Sequence, residues 1–299
     1  MRSKLQAAGL SDVAPGIERA SRLGLALEIG PYDTHARSFI GGVPSLPAGF
    51  VWPSRHGTPL PFLLQIDLAE IAPSLPSGEV PATGRLLVFG IPDDTDERYA
   101  AAVVTLTRGW NDVFVTVWLN EPGTPRTEGV AMPARAIRFH AMTAPPDRRS
   151  AEVRELLATL AHDDATDGDD IDEGDMSIDL DLGQGFLPPA KEDTPEERYA
   201  SFVDGLALPS LHLLGHAQSI QDDVRVEAIL EQEGLTAPLD AATSARIETT
   251  ARRWKAVLRL GSSPQIGWRF ASDGVLFLIA PTAALREGRF ENVRAVVQR

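Results

Sequence analysis

Two histidines four residues apart, His212 and His216, have the spacing in this chain that is most like a metal site. On a helix this spacing would place both imidazoles on one face, as metal sites require. Gly215 lies between them, however, and no glutamate completes a His-Glu-x-x-His helix. The alternative is structural, with His212 bonding the backbone in a tight turn. We favour the structural interpretation.

Gln65 and Asp67 form the second candidate pair. They are two residues apart in an almost continuously apolar segment, so on a strand they face the same side. Buried polar groups need partners. One interpretation is a ligand-facing pair beside Arg55 and His56. The other, which we favour, is a hydrogen-bond network that pins the Gly/Pro-rich loop of residues 39–61 to the sheet.

The third candidate is an acidic segment. It holds ten carboxylates and no lysine or arginine: Asp163, Asp164, Asp167, Asp169, Asp170, Asp172, Glu173, Asp175, Asp179 and Asp181. The chain's net charge is −14, and without these ten residues it would be −4. We expect a flexible acidic loop over residues 163–194 that repels nucleic acid and attracts a basic protein.

Clustered carboxylates can also bind Ca²⁺. An EF-hand loop needs a glycine at its sixth position and a glutamate at its twelfth. With Gly168 at the sixth position, Gly174 falls at the twelfth, and with Gly174 at the sixth, Ile171 falls at the third. Both registers fail, so a solvated loop is favoured over weak divalent-cation binding. The metal candidates for that alternative are Asp167, Asp169, Asp170 and Asp172.

Composition narrows the class of protein. The 299 residues are 43% hydrophobic, which is enough for a substantial core. Cysteine is absent, which excludes disulfides and thiolate nucleophiles and suits a reducing cytoplasm. The N-terminus lacks a signal-peptide core, and the longest apolar run, residues 275–280, is too short to span a membrane. We expect a cytoplasmic protein with no membrane contact.

Motifs for common cofactors are missing from the sequence. Gly183-Gln184-Gly185 has neither a third glycine nor a preceding strand, so dinucleotide binding is not supported. The chain has no Walker A motif and no Gly-x-Ser-x-Gly elbow. We therefore predict no cofactor, and the patterns leave enzymatic activity uncertain while leaning against it.

The elements that must position these residues can be predicted from periodicity and capping. Asp12 is a possible N-cap for the first helix, and Ser150 caps a later one. Helices are predicted over 14–25, 150–162, 196–206 and 241–252, with a helical turn over 281–286. Strands are predicted over 25–29, 62–68, 85–91, 101–107, 113–119, 136–142, 254–260, 274–280 and 293–298. Residues 108–112 have a hairpin-loop composition.

A weak internal repeat links residues 62–92 with residues 255–281. Each copy has a buried strand, a variable excursion, a glycine-led apolar strand and a proline. Gene duplication explains the likeness, but any two buried strands also look alike. Spacing alone leaves both explanations open.

Residues 40–53 combine glycine, proline and aromatic residues, and residues 211–222 contain His-x-Leu-Leu-Gly followed by Ile-Gln, whose glutamine is Gln221. Together with the strands that follow, this order resembles the YwqG-like family (DUF1963), a domain of unknown function. The resemblance implies an α+β fold with a mainly antiparallel sheet, peripheral helices and an internal duplication. It also implies one domain over residues 15–299 after a short extension, 1–14, with lobes over about 15–149 and 195–299.

One departure from the family pattern stands out. The second strand reads Arg259-Leu260-Gly261 where the first reads Gln65-Ile66-Asp67. If the polar residues formed a paired site, one half of it is altered in this chain.

Three functions are compatible with these patterns. The first is a non-catalytic protein-binding domain whose acidic loop attracts a basic partner, such as a toxin neutralised by an immunity-type protein. The second is a small-molecule site or hydrolase at the Gly/Pro loop. The third is weak cation binding by the acidic loop. The candidate binding residues are Arg55, His56, Gln65, Asp67, His212, His216 and Gln221.

Overall fold

The helices surround a central sheet in the computed structural model, which describes residues 1–93, 95–99, 109–128, 131–163 and 194–299. They are α1 (Arg2–Ala7), α2 (Ala14–Ala20), α3 (Leu68–Ile71), α4 (Ala151–Asp163), α5 (Pro195–Asp204), α6 (Val224–Glu233), α7 (Ala241–Ala251) and α8 (Thr282–Arg286). Short 3-10 turns span Ala72–Ser74, Pro264–Ile266 and Phe290–Asn292.

The strands of the described residues are mostly short in the first third of the chain and longer afterwards. They are β1 (Arg22–Pro31), β2 (Phe39–Ile40), β3 (Ser45–Leu46), β4 (Ser54–Arg55), β5 (Thr58–Pro59), β6 (Phe62–Asp67), β7 (Arg85–Gly90), β8 (Phe114–Leu119), β9 (Thr124–Pro125), β10 (Arg135–Ala144), β11 (Leu211–Leu214), β12 (Trp254–Gly261), β13 (Val275–Pro281) and β14 (Arg294–Gln298).

Ten of these strands form one sheet in the order β14-β13-β12-β11-β1-β10-β2-β6-β7-β8. Every neighbouring pair in it is antiparallel. The α+β class with a mainly antiparallel sheet is therefore confirmed. No helix in the described ranges is long and apolar enough to cross a lipid bilayer.

The sheet is arranged symmetrically about its central pair of strands, with four strands on each side. β8, β7, β6 and β2 lie on one side of the central β10·β1 pair, and β14, β13, β12 and β11 lie on the other. Glu28 pairs with Arg138 in the middle of that central pair. When the strands are divided into a first half, β1–β8, and a second half, β10–β14, the first strand of each half lies beside the other half, because β1 pairs with β11 and β10 pairs with β2.

Two irregularities in the hydrogen-bond ladder relate the halves residue by residue. β6 is bulged between Phe62 and Leu64, and β12 is bulged between Ala256 and Leu258. Aligning the bulges makes Gln65 the counterpart of Arg259 and Asp67 the counterpart of Gly261. Because bulges are specific local features, their matched positions support the duplication that spacing alone left open.

Three apolar clusters stabilise the fold. The largest joins the sheet to the loop of residues 39–61. The second packs α6 and α7 on β12, β13 and β14. The third joins α1, α2, α4 and α5, and in it Leu5 and Leu10 are fully buried. Residues of the expected N-terminal extension therefore contribute to a core.

Several element boundaries differ from the predictions. The helix predicted over 14–25 is α2, and it ends at Ala20 and not at residue 25, because Arg22–Pro31 pair along their whole length with β10. Its N-cap is Val13, not Asp12. The helix α6 was missed, although Asp223 caps its start and Gly234 ends it in the left-handed conformation. The strand predicted over 101–107 and most of the acidic loop lie outside the described residues.

Candidate functional site

A cavity of about 230 Å³ lies where α5 ends, between β11, the turn that follows it and β12. The polar side chains that line it are Arg148, Asp204, His212, Gln218, Ser219 and Arg259. This volume is below the range of drug-sized pockets and equals that of about eight liquid water molecules. The cavity therefore has room for a small metabolite or an ion.

His212 forms one wall of this cavity as a structural group. It is fully buried, with Nδ1 3.2 Å from Pro209 O and Nε2 3.2 Å from His216 O. Burial lowers the pKa of His212 to about 4, so the ring is neutral at pH 7 and one of its nitrogens donates. The segment is strand β11 followed by a turn, not a helix, so the metal-like spacing does not place the two imidazoles on a helix face.

His216 holds the other end of the turn. Its Nε2 donates to Ala20 O at 2.8 Å, which ties the turn to the end of α2. Burial, assisted by the positive charge of Arg22, lowers the pKa of His216 to about 3. Both histidines therefore bond backbone carbonyl groups. Within the described ranges, no group of three or more histidine or carboxylate side chains is arranged to hold a metal ion.

These two histidines should make stability depend on pH. Their folded pKa values, about 4 and about 3, lie below the ordinary 6.5, so below pH 6.5 the unfolded chain binds more protons than the folded one. Their contribution is fully present above pH 6.5. It should be lost as the pH falls toward 4, by up to about 1.4 kcal/mol per pH unit for each histidine.

Urea unfolding between pH 7.5 and pH 4.5 measures this effect. In His216→Gln the amide can still donate to Ala20 O but cannot titrate, so the free energy of unfolding should fall less steeply with acid than in the wild type. Parallel slopes for His216→Gln and the wild type would contradict the assigned protonation states.

The turn after β11 has an unusual backbone. Leu214, Gly215 and Gln218 have φ angles of 56°, 77° and 54°, and at this conformation an ordinary side chain is strained. Gln218 Nε2 donates to Pro145 O at 2.7 Å, whereas its buried Oε1 has no hydrogen-bond partner. Gln218 is one of the residues that line the cavity, and this acceptor of its side chain is unsatisfied in the described part of the chain.

Behind the turn, Asp147 and Ser219 form a buried pair. The Ser219 hydroxyl donates to Asp147 Oδ2 at 2.5 Å, and the Ser219 amide donates to the same oxygen at 2.9 Å. Burial raises the pKa of Asp147, with the charge of Asp223 acting in the same direction. The hydroxyl also accepts from Val224 N at 3.2 Å. Ser219 is thus bonded to an aspartate with no histidine between them, so this is not a Ser-His-Asp arrangement.

Arg259 is the charged group of the cavity. Its NH1 donates to Ser210 O at 3.1 Å, and its guanidinium carbon lies 5.8 Å from the centre of the Phe277 ring. The buried Nε has no acceptor. Burial lowers the pKa of Arg259, but a guanidinium still stays charged at pH 7. Arg148, at the same cavity, is 3.3 Å from Asp204.

Gln298, near the C-terminus, holds the next part of the turn in place. Its Oε1 accepts from the amides of Ile220 and Gln221 at 2.8 and 3.2 Å, and its Nε2 donates to Asp222 O at 2.8 Å. Gln221 itself is exposed, so here it is held by its backbone. Sequence reasoning missed Gln298, Gln218, Asp147 and Arg148. It did note Arg259, as a departure from the family pattern.

Gln65 and Asp67 lie in a separate network. Gln65 Nε2 donates to Arg37 O at 2.9 Å, and Asp67 accepts from Ala69 N at 2.9 Å as the N-cap of α3. The Ser38 hydroxyl accepts from Asp67 N at 2.9 Å and donates to Glu70. These bonds fasten residues 37 and 38, which immediately precede the Gly/Pro-rich loop, to the sheet.

The structure does not bring all the predicted residues together. Three strands, β1, β10 and β2, lie between β11 and β6, so His212 and Gln65 are four strand spacings, about 19 Å, apart. Arg55 pairs with Asp112 at 3.1 Å, and His56 is exposed at the β4–β5 turn. A role for these residues in binding stays a prediction. The four candidate metal ligands, Asp167, Asp169, Asp170 and Asp172, lie outside the described residues.

Larger openings exist elsewhere. Cavities of about 410 and 550 Å³ share Asn111 and Arg294, and the larger is lined mainly by charged and amide groups, among them Glu231 and Glu233. Glu233 pairs with Arg246 at 2.6 Å, so part of that charge is compensated. The smaller cavity beside Arg259 is the better candidate site for an anion because its one lining carboxylate, Asp204, is paired with Arg148. Three carboxylates line the larger cavity: Asp112, Glu231 and Glu233.

A family model described as "Domain of unknown function (DUF1963)" matches residues 38–298. No curated protein matches the chain.

Proposed function

The chain belongs to the DUF1963 family, whose description assigns no activity, and we propose from its geometry that it is a non-catalytic binding protein that takes a small anion in the cavity beside Arg259. The observation that carries the proposal is a partly buried guanidinium whose Nε has no acceptor. In the described part of the chain, no carboxylate lies within 4.0 Å of it.

The physical argument is one of charge compensation. Removing a cation from water is unfavourable unless an anion or several acceptors replace the lost hydration. Ser210 O and the face of Phe277 supply part of this compensation. An anion in the cavity supplies the rest, since a guanidinium can offer two parallel N–H groups to it.

Binding fits the neighbouring groups better than reaction does. The Ser219 hydroxyl donates to Asp147, and both nitrogens of His212 lie beside backbone carbonyl oxygens. A nucleophile needs a general base within hydrogen-bond reach, and Ser219 has only a buried carboxylate that also accepts two amide protons. The pinned turn therefore presents fixed polar groups to a ligand.

Replacing Arg259 tests the proposal. Arg259→Gln is expected to weaken binding of sodium acetate, measured by calorimetry or by NMR titration at constant ionic strength, by about 10-fold to 100-fold, since a charge-assisted hydrogen bond contributes about 1.5–3 kcal/mol. Arg253→Gln removes the same charge from an exposed site and should leave binding unchanged. If acetate and phosphate both fail to bind the wild type, or if the two variants behave alike, the proposal is wrong.

Charge distribution favours a second candidate function, the binding of a basic protein. Ten of the chain's 42 acidic residues lie between residues 163 and 181, with no lysine or arginine among them. Such a field steers basic partners at low salt and is screened at high salt. A pull-down at low ionic strength should enrich basic proteins, and a variant with these ten residues changed to asparagine or glutamine should not. Equal enrichment by both proteins would exclude the acidic segment as the binding element.

A further inference from the structure

The symmetry of the sheet gives the candidate site a counterpart within the same chain. Gln65 occupies the position in β6 that Arg259 occupies in β12, as the aligned bulges show. Gln65 pairs across the ladder with Phe39, and Arg259 pairs with His212. Two residues before each partner, a backbone carbonyl accepts from the strand side chain: Arg37 O from Gln65 at 2.9 Å, and Ser210 O from Arg259 at 3.1 Å.

The two halves differ in where they place an arginine and in whether carboxylates compensate its charge. In the first half, Arg37 lies 3.4 Å from Asp67 and 3.2 Å from Glu70, so two carboxylates compensate its charge. In the second half, the counterpart of Asp67 is Gly261, and the next three residues are Ser262, Ser263 and Pro264. The same alignment makes Ser210 the counterpart of Arg37 and Pro264 the counterpart of Glu70, so the second half carries its arginine on the strand, at Arg259, and has neither carboxylate.

We propose that the missing carboxylate is supplied by the ligand, a small monocarboxylic acid that also carries an N–H or O–H donor. This inference rests on the proposed function and specifies its ligand. The carboxylate accepts from Arg259, whose Nε has no acceptor among the described residues. The donor of the ligand bonds to Gln218 Oε1, the unsatisfied acceptor at the same cavity.

The charge of the cavity argues for a monoanion. Arg148 and Asp204 compensate each other at 3.3 Å, which leaves Arg259 as the one uncompensated charge among the lining residues. A dianion such as hydrogen phosphate would bring a second negative charge near Asp204, with Asp147 close behind Ser219. Like charges at short range are unfavourable in a half-buried site. A singly charged carboxylate of about six heavy atoms suits both the charge and the volume of about 230 Å³.

Two carboxylates that differ only in a hydroxyl group test the contact with Arg259 and the contact with Gln218 separately. Lactate and propionate share a carbon skeleton and a charge, and only lactate has a hydroxyl donor. NMR titrations of the whole chain at constant ionic strength should give lactate a dissociation constant about 3-fold to 10-fold lower than that of propionate, the equivalent of one neutral hydrogen bond. Phosphate at pH 7.5 should bind more weakly than lactate. Arg259→Gln, which copies the arrangement of Gln65, should weaken both carboxylates by at least 10-fold.

A second variant tests the contact with Gln218. Gln218→Met keeps the length of the side chain but removes Oε1, so it should bring the two dissociation constants within 2-fold of each other while propionate still binds. Phosphate binding at least as tightly as lactate, through Arg259, would overturn the monocarboxylate assignment and leave an anion site standing. Equal wild-type affinities for lactate and propionate would overturn the donor contact. If the wild type binds none of these anions, the proposed function itself is wrong.

Discussion

Replacing Arg225 by alanine is expected to lower the free energy of unfolding by about 3–5 kcal/mol. The arginine is 4% exposed and lies between two carboxylates. Its NH2 is 2.7 Å from Asp223 and 2.9 Å from Glu152, and NH1 also donates to Glu152 at 2.9 Å. These carboxylates raise the pKa of Arg225, and Arg225 helps to lower the pKa of Glu152 to about 2. Without Arg225, the buried Asp223 loses the cation that pairs with it.

The matched control is an exposed ion pair on the same group of helices. Arg246 and Glu233 join α7 to α6 with a similar distance, 2.6 Å, but their side chains are 51% and 32% exposed. Arg246→Ala should therefore cost less than about 1 kcal/mol. Urea denaturation at pH 7.5 measures both variants. Equal losses for the two would show that burial does not decide the strength of the Arg225 cluster.

Replacing Phe89 by alanine should have an effect of similar size, about 3–5 kcal/mol. Phe89 is fully buried in β7 and contacts three aromatic rings. Its ring centre lies 6.0 Å from Phe50, 5.0 Å from Trp52 and 5.6 Å from Phe62. Phe50 and Trp52 belong to the Gly/Pro-rich loop and Phe62 to β6, so this one ring packs the loop on the sheet.

Two further variants test whether the loss of stability comes from the buried packing of the Phe89 ring. Phe89→Leu keeps most of the buried volume and should lose less stability than Phe89→Ala. Tyr32→Ala removes a ring that is 45% exposed and touches Phe39 at the edge, and it should change stability by less than about 1 kcal/mol. Denaturant unfolding is read by the fluorescence of the five tryptophans, one of which is Trp52. If Phe89→Ala were no worse than Tyr32→Ala, the aromatic contact between loop and sheet would have no role in stability.

Long buried elements could be predicted from sequence because their signal is local. The strands near 62–68, 85–91, 254–260 and 274–280 appear within one or two residues of the predicted bounds. The same holds for the helix that follows Ser150, whose hydroxyl caps it by accepting from Val153 N at 3.3 Å. Short elements were harder to predict from the sequence. β2 and β11 are two and four residues long, and their strand character comes from pairing with β10, β6, β1 and β12.

The candidate site was harder to predict than the fold. The sequence singled out His212 and His216 by spacing, and it allowed the structural role that their backbone hydrogen bonds now support. In the sequence, Arg259 is visible as a departure from the family pattern. Its lack of a carboxylate partner could not be predicted, because this depends on which residues surround it in the fold. Gln218 and Gln298 carry no local signature at all, because a glutamine side chain is unsatisfied or fully bonded only in a folded context.

The amino-acid order by itself determined the central strands and the concentration of most of the net negative charge in one segment, since each depends on residue types within a short window. The resemblance to the DUF1963 family implied the α+β class. The tertiary structure decided which side chains meet. It placed Gln65 and His212 four strand spacings apart, aligned Gln65 with Arg259 through matched bulges, and left Arg259 without a carboxylate. The physical reason is that burial, pairing and unsatisfied hydrogen bonds are properties of residues far apart in the chain, which only the pairing of the strands brings together.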